Sequence, residues 1–242
     1  MVFDYIRPVP SLSREPNQLL VYEWYGNCAR NDVTNARNRI SVRMIIVLVL
    51  WLGIVCGATI LMTRYSNSPG AEGPAPVWWP ADSNLALDGH RPTLLMFLHP
   101  RCPCSRASLG ELERLLAQVT RRPAVELVFL KPDGTSSDWA ETDLWRSASA
   151  IPSVKVYSDN DGLETRRFHA ETSGQTLLYG PAGTLKFQGG ITVARGHAGD
   201  NPGRIALQQL LQEGHSEQTK TPVFGCSLFE DQCQKGTAAC KP

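Results

Sequence analysis

At 242 residues the chain has room for one core of ordinary size plus tails. Its formal net charge of +1 excludes both an overall basic field of the nucleic-acid-binding kind and an acidic solvating excess. Seven cysteines are too few to staple a chain of this length, and their placement is uneven: Cys28 and Cys56 stand alone, Cys102 and Cys104 form a pair, and Cys226, Cys233 and Cys240 sit in the C-terminal stretch.

Residues 1–42 mix Pro, Asn and Arg with isolated aromatics and little periodicity, which predicts a poorly ordered cytoplasmic tail. The uncharged run from Met44 to Thr63 follows. A helix of about 20 residues spans a hydrocarbon core of roughly 30 Å, so residues 43–63 are expected to form a single transmembrane helix. A buried core helix would show polar positions on one face, and here every turn is apolar. A cleaved signal peptide fits less well, because the run is long and no small-x-small site closely follows it. Cys56 reads as a buried thiol and not as a lipid attachment point, since Val55 precedes it where a small residue would be needed. Arg37, Arg39 and Arg43 precede the run and only Arg64 closely follows it, so the positive-inside rule places the N-terminus in the cytoplasm and the C-terminal part outside, in the periplasm.

Residues 64–80 are rich in Gly, Pro and Ser and predict a stretched linker, with Trp78 and Trp79 either at the membrane interface or capping the next domain. A globular domain is expected over residues 81–214, followed by a cysteine-containing tail over 215–242. Within the domain, Thr93–Leu98 and Ala124–Leu130 are short apolar runs of the kind buried on both faces of a sheet. Between them Leu109, Leu112, Leu115, Leu116 and Val119 recur at helical spacing, which makes a β-α-β unit, parallel and right-handed. The pattern then predicts a helix around Ser137–Ser147, a strand at Val154–Tyr157 and a short helix at Gly162–Phe168. Strands Thr176–Tyr179 and Thr184–Phe187 flank the turn Gly180-Pro181-Ala182-Gly183, and a closing helix runs over Pro202–Gln212 with Asp200 or Asn201 as its N-cap. Gly189-Gly190 predicts a bend after this hairpin.

This order resembles an α/β thioredoxin-like fold with a central α-β insertion, preceded by a single transmembrane helix. The resemblance covers residues 81–214 and centres on FLHPRCPCSRASLGELERLL, where a strand ends and the cysteines open a helix. TSGQTLLYGPAGTLKFQGGI and ARGHAGDN narrow it to bacterial membrane-bound redox proteins of the RedB type. Two departures stand out. The thioredoxin motif is Cys-x-x-Cys, whereas this chain has Cys102-Pro103-Cys104. Where thioredoxins carry a cis-proline this chain has Ser173-Gly174-Gln175, so no cis bond is expected there and plain thioredoxin reductant activity does not follow.

The first turn of a helix exposes unpaired N–H groups and the positive dipole end, and both favour thiolate over thiol. Cys102 is therefore expected to be the attacking thiolate and Cys104 the resolving thiol, with Arg101 adding a positive charge and His99 a charge or a proton. A disulfide across one intervening residue closes a small, strained ring that is readily reduced. The sequence expectation is thus a thiol–disulfide oxidoreductase, carrying electrons on its own cysteines with no other cofactor. Its partners would be protein thiols or disulfides and the membrane, not nucleic acid. An inert buried pair or a fixed local disulfide is the plain alternative. A sharper one is a copper or zinc carrier, with His99, Cys102, Cys104 and His197 as ligands to Cu(I) or Zn(II). A peroxidase would call on Arg195 or Thr192 to stabilise a leaving hydroxide, but the Cys-x-Cys pair lacks the lone cysteine that such enzymes use.

The three distal cysteines leave two readings open. A Cys226–Cys233 or Cys233–Cys240 bridge would be structural; alternatively Val223-Phe224-Gly225-Cys226 folds back and makes Cys226 a third redox cysteine.

Overall fold

A computed structural model describes residues 17–136 and 138–229, with side chains from Ser41 onward. Cys233 and Cys240, and with them both bridge readings, lie outside the described residues, as does the tail before Asn17. Residues 1–60 and 61–242 form two compact units.

The described part of the first unit, residues 17–60, belongs to helix α1, Asn17–Ser66. Residues 17–40, expected as irregular tail, are helical. Within α1, Ser41–Ser66 has mean hydropathy 2.8 and none of its most apolar stretch is buried. Twenty-six residues at 1.5 Å each make about 39 Å, long enough to cross a bilayer. The exposure also rules out a buried core helix. Cys56 lies on the surface of this helix and not in a packed interior.

In the second unit the elements follow as β1 Thr93–Leu98, α2 Pro103–Gln118, β2 Ala124–Lys131, α3 Asp143–Ser149, β3 Val154–Asn160, α4 Leu163–Arg167, β4 Thr176–Tyr179, β5 Leu185–Gly189 and α5 Pro202–Gln212. The sheet order is β3-β2-β1-β4-β5. β1, β2 and β3 are parallel, while β4 is antiparallel to both β1 and β5. Setting β3 aside leaves β2-β1-β4-β5, a β-α-β unit joined to a β-hairpin and a closing helix, which is the thioredoxin-like topology. The inserted α3, β3 and α4 extend the sheet at the β2 edge, as the central α-β insertion requires.

Strand alternation sends Leu94, Met96 and Leu98 of β1 to one face and Leu95 and Phe97 to the other. Both sets are fully buried, so both faces need covering. Leu109, Leu112, Leu115 and Leu116 of α2, Leu144 and Ala148 of α3, and Ala206, Leu207 and Leu211 of α5 cover the first. The second has only the five-residue α4, too short to bury Leu95, Phe97, Val128, Leu177 and Tyr179 alone.

The missing cover comes from the Gly/Pro segment and the distal segment. Ala75, Leu85 and Leu228 are buried there, with Trp79 and Leu87 packed against them. Trp79 stacks edge-on with Phe168 and Tyr179 at centroid distances of 5.1 and 5.2 Å, so it caps the domain. The expected stretched linker is therefore corrected. Gln188 donates from Nε2 to Gly73 O at 2.7 Å and accepts at Oε1 from Ala75 N at 3.2 Å. Tyr179 Oη donates to Pro76 O at 2.8 Å, Leu185 N to Val77 O at 2.9 Å and Trp79 N to Gly183 O at 2.7 Å. Gly and Pro keep the segment free of helix and strand, but its carbonyls and amides still find fixed partners.

One boundary shifts for a local reason, and one cap is decided between its two candidates. α3 starts at Asp143 and not near Ser137, because Thr142 caps it: Oγ1 faces Trp145 N at 3.5 Å and donates to Pro100 O at 3.0 Å. At α5 the cap is Asn201, whose side chain accepts from Arg204 N at 2.8 Å.

Candidate redox site

β1 ends at Leu98, and residues 99–102 turn the chain into α2. Cys102 is the N-cap, with extended backbone (φ −92°, ψ 124°), and Pro103 occupies the first turn, where its missing N–H costs nothing. The helix thus begins between the two cysteines. Both are buried, at 6% and 8% exposure.

Three serine and histidine contacts fix this corner. His99 N donates to Ser173 Oγ at 2.9 Å, Ser105 Oγ donates to His99 O at 2.9 Å, and the two serine hydroxyls lie 2.7 Å apart. They tie the start of α2 to Ser173-Gly174-Gln175, the loop that leads into β4. No cis peptide bond occurs among the described residues.

Against this loop lies the distal segment. Ser173 N donates to Cys226 O and Leu228 N to Glu171 O, both at 2.8 Å, so residues 226–228 pair antiparallel with 171–173. Gly225 makes the approach possible: a Cβ there would collide with Ser173 O. On its other side the segment meets the linker, with Gly70 N donating to Val223 O at 2.8 Å and Val223 N to Glu72 Oε1 at 2.7 Å. Gly189 and Gly190 pack against Thr221 and Pro222, so these glycines serve close backbone approach as well as a bend; Gly189 has φ +153°.

The result places Cys226 Sγ 2.6 Å from Cys102 Sγ, inside ordinary non-bonded sulfur contact. The sulfurs of Cys102, Cys104 and Cys226 all lie within 4.8 Å of one another. The Cys226 S–H donates to Cys102 and, outweighing the effect of burial, lowers the Cys102 pKa to about 5. The amides of Ser105, Cys226 and Cys104 face the same sulfur and act in the same direction, although none makes a formal cap hydrogen bond. Cys104 moves upward, chiefly through burial and then through the neighbouring Cys102 charge, while Arg195 pulls the other way. Cys226 also moves upward, because its proton is held by Cys102 and because it is buried. The three thiols therefore divide into one thiolate and two protonated partners.

The structure rearranges the other residues expected at this site. The Arg101 guanidinium is exposed and lies 4.6 Å from the Trp139 ring centroid, in a cation–π contact. His99 stacks edge-on with the same ring at 5.8 Å, and its Nδ1 accepts from Arg101 N at 3.2 Å. His197 is exposed, with Nδ1 2.7 Å from Arg195 O. Neither histidine belongs to the sulfur group, so a metal here would meet Cys102, Cys104 and Cys226 in place of the expected set.

Arg195 is the cation that sequence reasoning set aside. It donates to Gly225 O, beside Cys226, and through Nε to Ser68 O at 3.0 Å; its own N–H donates to Ser66 O at 2.9 Å. Its loop is anchored to α2 by the fully buried Glu111. That carboxylate accepts from Gly199 N at 2.9 Å and faces Arg204 Nε at 2.9 Å and Arg114 Nη1 at 2.6 Å. Arg195, Ser105 and Ser173 each lie in a stretch that carries the family resemblance, but their contacts around the cysteines are set only by the fold.

No protein-family model and no curated protein matches the chain. Among solved structures, it is similar to an uncharacterised conserved protein from Geobacillus kaustophilus (18% identity, TM-score 0.46, 66% of this chain and 91% of that one). It is also similar to a hypothetical protein from Sinorhizobium meliloti 1021 (19%, 0.46, 67% and 96%). A third is a secreted Mycobacterium tuberculosis disulfide oxidoreductase homologous to E. coli DsbE (19%, 0.36, 52% and 82%). The strand order above, and not these distant likenesses, defines the fold as thioredoxin-like.

Proposed function

We propose that the chain is a membrane-anchored thiol–disulfide exchange protein of the RedB type, acting outside the cytoplasm, with Cys102 as nucleophile and Cys104 and Cys226 as its partner thiols. The observation that carries this reading is the Cys102 sulfur at the start of α2, 2.6 Å from Cys226. A thiolate is the reactive form, and this sulfur keeps it at neutral pH. The excess of arginines before the apolar helix supports the outside location of the domain.

The exchange conserves sulfur and electrons. Cys102 attacks one sulfur of a client disulfide; that S–S bond breaks, and the other client sulfur leaves with the electron pair and takes a proton. A second thiol of the chain then gives up its proton and attacks Cys102, which closes an internal disulfide and frees the second client thiol. The client gains two electrons and the protein loses two, until a dithiol donor resets it; the same steps reversed oxidise a client dithiol.

The three-sulfur group favours a second reading, binding of a soft ion such as Cu(I), or of Zn(II). Because residues 68–80 pack on the domain, the full chain in detergent is the right material. It is equilibrated anaerobically across a glutathione redox series, its thiols are trapped and counted by mass, and bound metal is measured. Exchange predicts that two thiols, one of them Cys102, disappear together. Cys102 reduced throughout, with equimolar metal co-purifying, would replace exchange with metal binding.

A further inference from the structure

Beyond the exchange chemistry, on which the following rests, the chain carries its own image of a client. Gly225-Cys226-Ser227-Leu228 is extended, pairs through two main-chain hydrogen bonds with Glu171 and Ser173, and presents a cysteine sulfur to Cys102. Each position meets a defined surface. Gly225 passes so near Ser173 O that no side chain fits. Ser227 points to solvent, and Leu228 is 4% exposed in the second core with Leu130 and Phe168.

We propose that this groove is a sequence-selective binding site for an extended polypeptide segment of the form Gly-Cys-x-apolar. In this structure the chain's own residues 225–228 fill it, and a client enters by displacing them. The backbone pairing fixes the strand direction and the cysteine; the Ser173 carbonyl selects glycine before it, and the apolar wall selects the residue two places after it. Such a mode resembles β-strand addition, here on the loop that leads into β4, with main-chain bonds giving affinity and alternate pockets giving choice.

The tether gives the internal segment an advantage. A segment on a short connection competes at an effective concentration on the order of millimolar, so a free client is weakened by the fraction of time the groove is filled. The connection here is short, because α5 ends at Gln212 and Thr221 is already docked through Oγ1 to Gly190 O at 2.8 Å. Arg195, bonded to Gly225 O, and Glu72, bonded to Val223 N, are the positioning residues that hold the occupant in place.

The test uses the reduced full chain in detergent and activated disulfides that release thiopyridone on attack. The probes are a peptide of residues 221–229 with its cysteine as the 2-thiopyridyl disulfide, the same peptide with Gly225→Val or Leu228→Asp, and 2,2′-dithiodipyridine as a small probe. Attack by Cys102 breaks the probe's S–S bond, thiopyridone leaves with the electron pair, and a mixed disulfide forms, which is located by mass. The native peptide is expected to react at least about tenfold faster than either altered peptide, the ratio that about 1.4 kcal/mol of lost fit gives. A Gly225→Val protein, its own segment lifted from Ser173, is expected to react with the native peptide at least about tenfold faster than the parent protein does. The small probe reads the intrinsic rate of Cys102 in each protein, which shifts as Cys226 is lifted away, and every peptide rate is compared as its ratio to that rate. If that variant does not fold, the ranking of peptides on the parent protein still decides. Equal rates for all peptides, with the small probe still reacting at Cys102, would overturn the binding site and leave exchange intact. No reaction of Cys102 even with the small probe would overturn both.

Discussion

Replacing Cys102 with serine is expected to lower disulfide exchange by at least about a thousandfold, because a hydroxyl cannot form the mixed disulfide and only background reaction remains. More informative is how Cys102 gains its reactivity. At pH 7 a thiol with the ordinary value of 9.0 is about 1% ionised and one at about 5 is about 99% ionised, a gain of roughly a hundredfold in thiolate. Intrinsic nucleophilicity falls with pKa, at a Brønsted slope near 0.4–0.5, which over four units removes roughly sixtyfold. At neutral pH the two nearly cancel. The low pKa therefore matters mainly below neutrality and in making Cys102 a good leaving sulfur. The pH profile of Cys102 alkylation should accordingly have its midpoint near 5, with full reactivity above it and loss as acid protonates the sulfur. Cys226→Ala removes the largest stabiliser of the thiolate, so the midpoint is expected to rise by more than one pH unit. Serine is the control, since its hydroxyl still donates a hydrogen bond. A midpoint unchanged in Cys226→Ala would show that the contact does not set the Cys102 charge.

Glu111→Ala is expected to destabilise the domain by about 3 kcal/mol, through the buried cation it leaves behind. Arg204 is 7% exposed and would keep only Asp200 Oδ1 at 2.7 Å and Gln118 Oε1 at 2.8 Å. The Asp200 side chain is 95% exposed, so it compensates weakly. It still places the loss at the lower end of the range of roughly 3–5 kcal/mol for breaking a buried pair. Loss of Arg114, whose side chain is 56% exposed, adds little. In a domain of this size the change lowers Tm by roughly 6–12 °C. Glu111→Gln keeps one acceptor oxygen but leaves the same buried cation without its counter-charge, so it is expected to lose most of the same stability. Thermal denaturation of the three proteins measures this; equal Tm values would mean that Glu111 does not anchor the Arg195 loop to α2.

The sequence signals that held are those written in neighbouring residues. The apolar run at Thr93–Leu98, the helical spacing of Leu109 to Leu116, the Gly180–Gly183 turn and the cap at Asn201 each depend on contacts within one element or its ends. The Cys102-Pro103-Cys104 position at a helix start was legible for the same reason. Where the reading departs, distance along the chain is the cause. Residues 68–80 look like a linker by composition, yet one sheet face lacks a helix long enough to cover it, a deficit visible only in three dimensions. Arg101 is marked by adjacency to Cys102, whereas its contact with Trp139, on the turn before α3, is visible only in the fold. Cys226, 124 residues from Cys102, does fold back as one of the two sequence readings allows; the sequence leaves that choice open because the glycine that lets its segment approach Ser173 has no local signature.

The central claim is that Cys102 exchanges disulfides in partnership with Cys226. Its most direct test is to oxidise the full chain with glutathione disulfide, block remaining thiols, digest without reduction and identify the bridged peptides by mass. The account predicts a bridge joining the peptide that contains Cys102 to the one that contains Cys226, with Cys104 alkylated. A bridge confined to Cys102 and Cys104, or Cys102 recovered as a free thiol at every glutathione ratio, would contradict it.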